Sequence, residues 1–243
     1  MKRFLLIPVA AVFLLVPGCK QSGKESAPAD VRTFWDGKTL LEEDYRTSED
    51  RFADFAEAAV NAPLEEAIAA LDGLFDRLKE ENDEVTYYIY AEWMAAAFYD
   101  IFSPCRNAAL YDHAVDRMEA DGVLPPYDCE PYRQKSDWMK VNCPGEKATL
   151  PEPDPEGRNT LVLVMDLSCP TCHDALNRLA GLTEWADARH LALCCGFGPI
   201  PEVTGWEYRR VENAGAYFDI HMTPCYYIID PDGVVLHPYA PAL

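Results

Sequence analysis

The sequence predicts a chain of two parts, an α-helical N-terminal region followed by a smaller α/β domain. Apolar residues recur at helical spacing from Ser48 to about Met139. After a proline-rich segment at 151–157, short apolar runs alternate with helical patterns and end in a hairpin, which is typical of an α/β domain. We therefore expect a helical domain at 31–150 and an α/β domain at 151–243.

Composition limits the classes of function. The chain has 243 residues, of which 49% are hydrophobic and 12% aromatic, so it can bury sizeable cores. It carries 41 acidic against 21 basic side chains, a net charge of −20, which argues against binding to nucleic acid or to an anionic membrane surface. No phosphate-binding loop, zinc-protease motif or EF-hand pattern occurs.

The N-terminus predicts export from the cytoplasm. Two basic residues precede the apolar run Phe4–Val16, which is too short to span a bilayer but suits the core of a signal peptide. Gly18 followed by Cys19 resembles a bacterial lipoprotein signal, which implies that Cys19 carries a lipid anchor and that the protein faces the periplasm. The alternative is an ordinary secretory signal. Residues 20–30 are rich in Ser, Lys, Ala and Pro and predict a flexible tether.

Five segments of the helical region carry apolar stripes. They begin near the following residues: Ser48, Pro63, Val85, Asn107 and Pro131. Thr47 or Ser48 is the expected N-cap of the first helix, and Asn107 that of the fourth. We interpret the stripes as packing faces, because each has the spacing that helix-on-helix burial requires.

The α/β domain is predicted to contain four strands and two helices. The expected strands are Leu161–Met165, Leu191–Cys195, Cys225–Asp230 and Val234–Leu236. The expected helices are Cys169–Leu182 and Trp206–Tyr217. Two prolines among the last seven residues prevent a final helix, so we expect the helical region or a second subunit to cover one face of the sheet.

One motif carries redox chemistry. Cys169-Pro170-Thr171-Cys172-His173 follows a predicted strand and opens a predicted helix. Backbone N–H groups at a helix N-terminus stabilise a thiolate, which is the nucleophile in disulfide exchange. The two-residue spacer puts the second thiol one turn away, so we expect Cys169 to attack and Cys172 to resolve the mixed disulfide.

A second motif accompanies the first. Thr223-Pro224 precedes a predicted strand and an Asp-Gly turn, and residues 158–237 as a whole resemble the thioredoxin-like superfamily. The resemblance implies that Pro224 is cis and lies against the redox pair, and that Thr223 presents backbone groups to an extended substrate. The implied activity is thiol–disulfide exchange on proteins of the cell envelope, with no cofactor and with protein thiols or disulfides as partners.

The helical region has a resemblance of its own. It rests on Phe34-Trp35-Asp36 and on Ser103-Pro104-Cys105-Arg106-Asn107. These residues resemble a domain of uncharacterised function in Gram-negative envelope lipoproteins, where it precedes a thioredoxin-like domain of the TlpA/ResA kind. The resemblance implies no activity for the helical region.

The redox motif departs from the family pattern at two positions. Ser168 stands where thioredoxins usually carry Trp, and Leu163 stands where a buried acid is common. Asp166 is the nearest acid, so the group that handles the proton is not assigned. The Pro-Thr spacer fits both reductases and oxidases, and the direction of electron flow stays open.

Three other functions compete with exchange. A fixed disulfide between Cys169 and Cys172 would make the domain a redox-inert binding module. A metallochaperone is the second alternative. The third is a c-type haem protein, because Cys-x-x-Cys-His is the haem attachment pattern and His173 would then be the axial ligand.

The remaining cysteines predict two further features. Two of Cys105, Cys129 and Cys143 are expected to form a structural disulfide of undetermined connectivity. Cys194 or Cys195, together with Cys225, should lie at the sheet edge that holds the redox pair, with His221 and His173 close by. They are interpreted as a disulfide relay, a soft-metal site for Cu(I) or Zn, or simply buried core.

Overall fold

The protein is described by a computed structural model that covers residues 30–241, so the expected signal peptide and the Cys19 anchor lie outside the described residues. The helices are α1 Tyr45–Asn61, α2 Leu64–Glu81, α3 Glu84–Met94, α4 Ala108–Asp121, α5 Pro126–Met139 and α6 Pro170–Ala180. The strands are β1 Thr160–Asp166, β2 Arg189–Cys195, β3 Trp206–Arg210, β4 Cys225–Ile229 and β5 Val235–Pro241. No helix of this described part is long and apolar enough to cross a membrane.

The capping of the helices was only partly predicted. Asn107 caps α4, with its side chain accepting a hydrogen bond from the N–H of Leu110. The expectation for α1 was wrong, because Asp44 is its N-cap and Ser48 is buried within the helix. The Ser48 hydroxyl instead accepts the N–H of Glu42 and so ties the incoming chain to the helix.

The later helices also differ from their expected bounds. The third segment ends in a turn of π-helix, Ala95–Tyr99, which continues α3 without a break. Helix α5 begins earlier than the expected Pro131, because Pro126 occupies its first turn, where a missing N–H is tolerated. The five helices pack around one aromatic-rich core centred on Phe52, Phe55 and Tyr90.

The α/β part is a five-stranded mixed sheet. Its order is β3-β2-β1-β4-β5, in which β1, β2 and β3 are parallel and β4 and β5 run antiparallel to their neighbours. The strand that begins at Cys225 runs antiparallel to β1. Strand β1 is central and buried on both faces, so its continuous apolar run is what a buried strand requires.

The two faces of the sheet have different covers. Helix α6 covers one face through Leu176 and Leu179. The other face packs against Ile101 from the helical region and against Phe218, so this cover does not depend on a second subunit. Strand β5 is longer than expected and contains prolines, which an edge strand tolerates, and no helix follows it up to residue 241.

The predicted helix Trp206–Tyr217 was wrong. Residues Trp206–Arg210 form strand β3, which pairs in parallel with β2, and a short 3₁₀ turn follows at Ala214–Ala216. Trp206 and Tyr208 alternate onto the face that α6 covers, while Glu207 points away and pairs with Arg189 of the neighbouring strand. The side chains of these five residues alternate between the two faces of the sheet, as they do in a β-strand, and pairing with β2 stabilises this strand.

Candidate active site

The redox motif lies where β1 passes into α6. The chain leaves the sheet after Asp166, and Cys169 is the N-cap of the helix with an extended backbone (φ −92°, ψ 115°). Pro170 occupies the first helical position, where its missing N–H leaves no hydrogen bond unmade. The thiol of Cys169 therefore lies beside the free N–H groups of the first turn of α6.

The environment of Cys169 favours its thiolate. Partial burial of the side chain opposes ionisation, but hydrogen bonds from the Thr171 hydroxyl, the Cys172 thiol and the backbone N–H groups of the turn outweigh it and lower the pKa of Cys169. The Cys169 Sγ and the Thr171 Oγ1 are 3.1 Å apart. The side chain is still partly exposed, so the thiolate can reach a substrate disulfide.

The environment of Cys172, in contrast, disfavours its thiolate. It is fully buried, and burial together with the neighbouring Cys169 thiolate raises the pKa of Cys172 to about 12. The backbone of Asp166 and the side chain of Thr223, which both contact the sulfur, act in the other direction and favour the thiolate of Cys172. One thiol is thus prepared to attack, and the other is held protonated until it is needed.

The segment before β4 completes the site. The Thr223–Pro224 peptide bond is cis, as the resemblance implied. The Thr223 hydroxyl donates to the carbonyl of Ile220, 3.0 Å away, and the same side chain contacts Cys172. The structure therefore brings together Cys169, Cys172 and Thr223, which the sequence had placed in two separate motifs.

The other motif neighbours support the loop. The Nε2 of His173 lies 3.0 Å from the carbonyl oxygen of Leu167, which ties the first turn of α6 to the chain that leads into it. This nitrogen is the one that a c-type haem iron would require, so the position of His173 gives no support to the haem interpretation. Pro170 and Thr171 are exposed at the helix start beside the nucleophile.

Asp166 holds the loop rather than the thiols. Its carboxylate accepts the N–H and the hydroxyl of Ser168, both at 2.7 Å. Gly196 passes directly over this carboxylate, so closely that a Cβ there would overlap it. Ser168 thus serves as the hydrogen-bonding partner of the Asp166 carboxylate.

A loop beside the nucleophile was missed from the sequence. Gly198 lies against the carbonyl of Leu167, and Arg210 from β3 donates to the carbonyl oxygens of Gly196 and Gly198 at 3.4 and 2.7 Å. This fixed loop holds Phe197 in solvent with 93% of its side chain exposed. The run Gly-Phe-Gly-Pro-Ile-Pro could have indicated this loop in the sequence, because glycine and proline on both sides of an apolar residue are typical of a turn.

The accessory cysteines are not gathered into a second site. Cys194 faces α6, whereas Cys195 and Cys225 lie on the opposite face of the sheet. Cys195 pairs with β1 at Asp166, and Cys225 pairs with it from the other side at Val164, two residues earlier, so their backbones are about 12 Å apart, beyond disulfide reach. All three are buried, which fits the core interpretation.

Within residues 30–241 the structure gives no support to the soft-metal interpretation, and it does not contain the expected disulfide among Cys105, Cys129 and Cys143. No three His, Cys, Asp or Glu side chains of this range are placed to share a metal ion. Cys105, Cys129 and Cys143 are free thiols, and Cys169 and Cys172 are free as well. Cys143 donates to the carbonyl of Met139 at 3.2 Å, and Cys129 lies separately in the helical core.

A cavity lies beside the contact between the helical region and the segment that leads to Thr223. Its volume is about 260 Å³, and most of its walls are apolar. Its principal wall residues are Tyr99, Trp138, Met139, Tyr217, Phe218 and Met222. Trp138 closes one side by donating its indole N–H to the carbonyl of Gly215 at 2.8 Å.

Comparison with known proteins supports the fold. No family model matches the chain, and no curated protein matches it. Among solved structures, the chain is similar to a thioredoxin-like protein from Bacteroides caccae, with a TM-score of 0.63 at 17% sequence identity. The similarity covers 96% of this chain and 96% of that chain. The chain therefore has a thioredoxin-like fold, preceded by a helical region.

Proposed function

We propose that this protein is a thiol–disulfide oxidoreductase that acts on proteins of the cell envelope. The observation that carries the proposal is the contrast between two neighbouring thiols. Cys169 is partly exposed at a helix start and has a lowered pKa, whereas Cys172 is buried and has a raised one. Enzymes that exchange disulfides need this division between an attacking and a resolving thiol.

The reaction follows from the geometry. The Cys169 thiolate attacks one sulfur of a substrate disulfide, a mixed disulfide forms, and the other substrate sulfur leaves as a thiolate that takes up a proton. Cys172 then loses its proton and attacks the Cys169 Sγ, which releases the second substrate thiolate and forms the Cys169–Cys172 disulfide. The substrate gains two electrons and the protein loses two. The same steps in reverse oxidise a substrate dithiol.

The substrate is expected to be a polypeptide. In this fold an extended chain passes the residue before the cis-proline, so the backbone of Thr223 is the proposed contact. Phe197 on one flank and Ile220 on the other expose apolar surface beside the nucleophile. These side chains suit a substrate whose cysteine lies next to apolar residues, as in proteins that are not yet folded.

The proposal includes the location of the protein. We propose that Cys19 is lipidated and that residues 20–30 tether the folded part to the membrane on the periplasmic side, where disulfides persist. The Phe4–Val16 run and the Gly18-Cys19 junction support this part of the proposal. The acidic surface disfavours nucleic acid as a partner.

A trapping experiment tests the function. The Cys172→Ser variant should accumulate mixed disulfides on Cys169 when it is expressed in its own envelope, because the resolving thiol is missing. The matched control is the Cys169→Ser, Cys172→Ser double variant, which should trap nothing. An empty trap in the single variant, with both thiols of the parent protein equally unreactive, would contradict the proposal.

A further inference from the structure

The helical region contacts the segment that carries Thr223. Tyr99, at the end of the π-helical turn, donates its hydroxyl to the carboxylate of Asp219. Both residues are buried, with 4% and 6% of their surface exposed. The Tyr99 ring also packs against Tyr111 of α4 at a centroid distance of 5.4 Å, so packing in the helical core fixes the orientation of its hydroxyl.

Asp219 organises the turn that leads to the redox pair. Its carboxylate also accepts the N–H of His221 at 2.9 Å, and its carbonyl accepts the N–H of Met222 at 3.1 Å. Thr223 closes the same turn through its hydrogen bond to the Ile220 carbonyl. The turn is thus anchored at one end by Tyr99 and contacts Cys172 at the other.

The Tyr99 hydroxyl keeps the proton that it donates to Asp219. Burial and the adjacent Asp219 carboxylate raise the pKa of Tyr99 far above its ordinary value, so the hydroxyl keeps its proton and remains a donor. A carboxylate buried at an interface between two regions needs such a donor. Removal of the hydroxyl would therefore release one end of the turn.

We propose that Tyr99 and Asp219 are positioning residues for the resolving step: they hold the turn 219–223 so that Thr223 stays against Cys172. This inference rests on the proposed function and gives the helical region a part in it. The Thr223 side chain lies against the Cys172 thiol, whereas the Thr171 hydroxyl hydrogen-bonds to Cys169. Release of the turn should therefore slow the attack by Cys172 and leave the attack by Cys169 unchanged.

A disulfide reagent that releases a coloured thiolate allows the attack by Cys169 and the attack by Cys172 to be measured separately. With one equivalent of dithiobis(nitrobenzoate), the Cys169 thiolate attacks and releases the first nitrothiobenzoate. Cys172 then attacks the Cys169 Sγ, forms the Cys169–Cys172 disulfide and releases the second. Burial raises the pKa of Cys105 and of Cys143, so these thiols react slowly at neutral pH. Mass spectrometry of the adduct verifies that it forms on Cys169.

The test compares two tyrosines in the full-length protein. Tyr99→Phe removes the hydroxyl and keeps the ring. Tyr132→Phe is the matched control, because the Tyr132 hydroxyl also donates to a carboxylate, that of Glu92, but within the helical region. We expect the second release to slow about fivefold in Tyr99→Phe, a factor of the size that one ordinary hydrogen bond contributes. The first release should stay as in the parent protein, and Tyr132→Phe should leave both unchanged.

Two results would overturn the inference. One is a second release in Tyr99→Phe as fast as in the parent protein, and the other is an equal slowing of both releases. Asp219→Asn serves as the second variant if Tyr99→Phe does not fold, and the same selective slowing is expected for it. A parent protein that gives no second release would overturn the proposed function itself, and that outcome is distinct from an effect of Tyr99.

Discussion

The side chain of Thr223 lies against the buried thiol of Cys172, although the two residues belong to motifs far apart in the chain. The turn before β4 thus supplies a partner to the thiol that burial alone would keep protonated. Cys169 receives its hydrogen bonds from its own helix turn. The two thiols interact with each other, but Thr171 acts on Cys169 and Thr223 on Cys172, so substitutions at these two threonines address one thiol each.

The lowered pKa of Cys169 predicts its reactivity with pH. A thiol whose pKa is lowered is already thiolate at a pH where an ordinary cysteine, with a pKa of about 8.5, is still protonated. Alkylation of Cys169 by iodoacetamide in Cys172→Ser should therefore reach half of its maximal rate below that value. Rates measured by mass spectrometry between neutral and alkaline pH check this. A midpoint at or above that of a free cysteine peptide would show that the helix start does not activate the thiol.

Thr171→Val should weaken the nucleophile. The substitution removes the hydroxyl that lies 3.1 Å from the Cys169 Sγ and keeps the β-branched shape. Because this hydroxyl helps to lower the pKa of Cys169, we expect that pKa to rise in Thr171→Val, which slows alkylation near neutral pH severalfold. Thr171→Ser retains a hydroxyl and is the control. Equal alkylation rates in Thr171→Val and in the parent protein would show that the Thr171 hydroxyl does not stabilise the Cys169 thiolate.

Gly196→Ala should destabilise the loop beside the nucleophile. Gly196 has a φ of +69°, and a Cβ there would overlap the Asp166 carboxylate. Gly205 has a φ of +87° with open space around it, so Gly205→Ala carries the backbone strain without the overlap. We expect Gly196→Ala to lower the free energy of unfolding by about 2–3 kcal/mol and Gly205→Ala by about 1 kcal/mol. Urea unfolding measures both, and equal losses would contradict the close contact.

Phe197 should affect protein substrates only. Its side chain is 93% exposed, so Phe197→Ser should leave the stability of the protein unchanged within about 0.5 kcal/mol. We expect the KM for a protein disulfide to rise several times, because apolar contact is lost, and the rate with a small disulfide to stay the same. Leu182→Ser, at the far end of α6, is the control. A change in KM that is equal for both variants would contradict a role in substrate contact.

The main parts of the fold could be predicted from the sequence because their signals are local. The apolar run Leu161–Met165 lies within β1, and the proline after Cys169 marks the start of α6. Strand β3 was mistaken for a helix because five residues of edge strand are too short for their alternation to stand out. Their structure depends on pairing with β2, which the sequence does not display.

The candidate site, like the fold, could be predicted from the sequence only where its signals are local. Cys169, Cys172 and the cis-proline at 224 belong to motifs that can be recognised in the chain. The contact of Tyr99 with Asp219 could not be predicted, because it exists only when the helical region packs beside the sheet. The separation of Cys194 from Cys195 follows from strand alternation, but the distance between Cys195 and Cys225 required the strand order.

A redox titration tests the central claim most directly. The protein is equilibrated with graded ratios of reduced and oxidised glutathione, the remaining thiols are alkylated after unfolding, and each cysteine is followed by mass spectrometry. We predict that Cys169 and Cys172 become protected together, as one two-electron couple for which a tenfold change in the equilibrium constant corresponds to about 30 mV. Cys105, Cys129 and Cys143 should remain alkylatable throughout. A titration in which Cys169 and Cys172 never form a reversible disulfide, or in which a different pair does, would contradict the account.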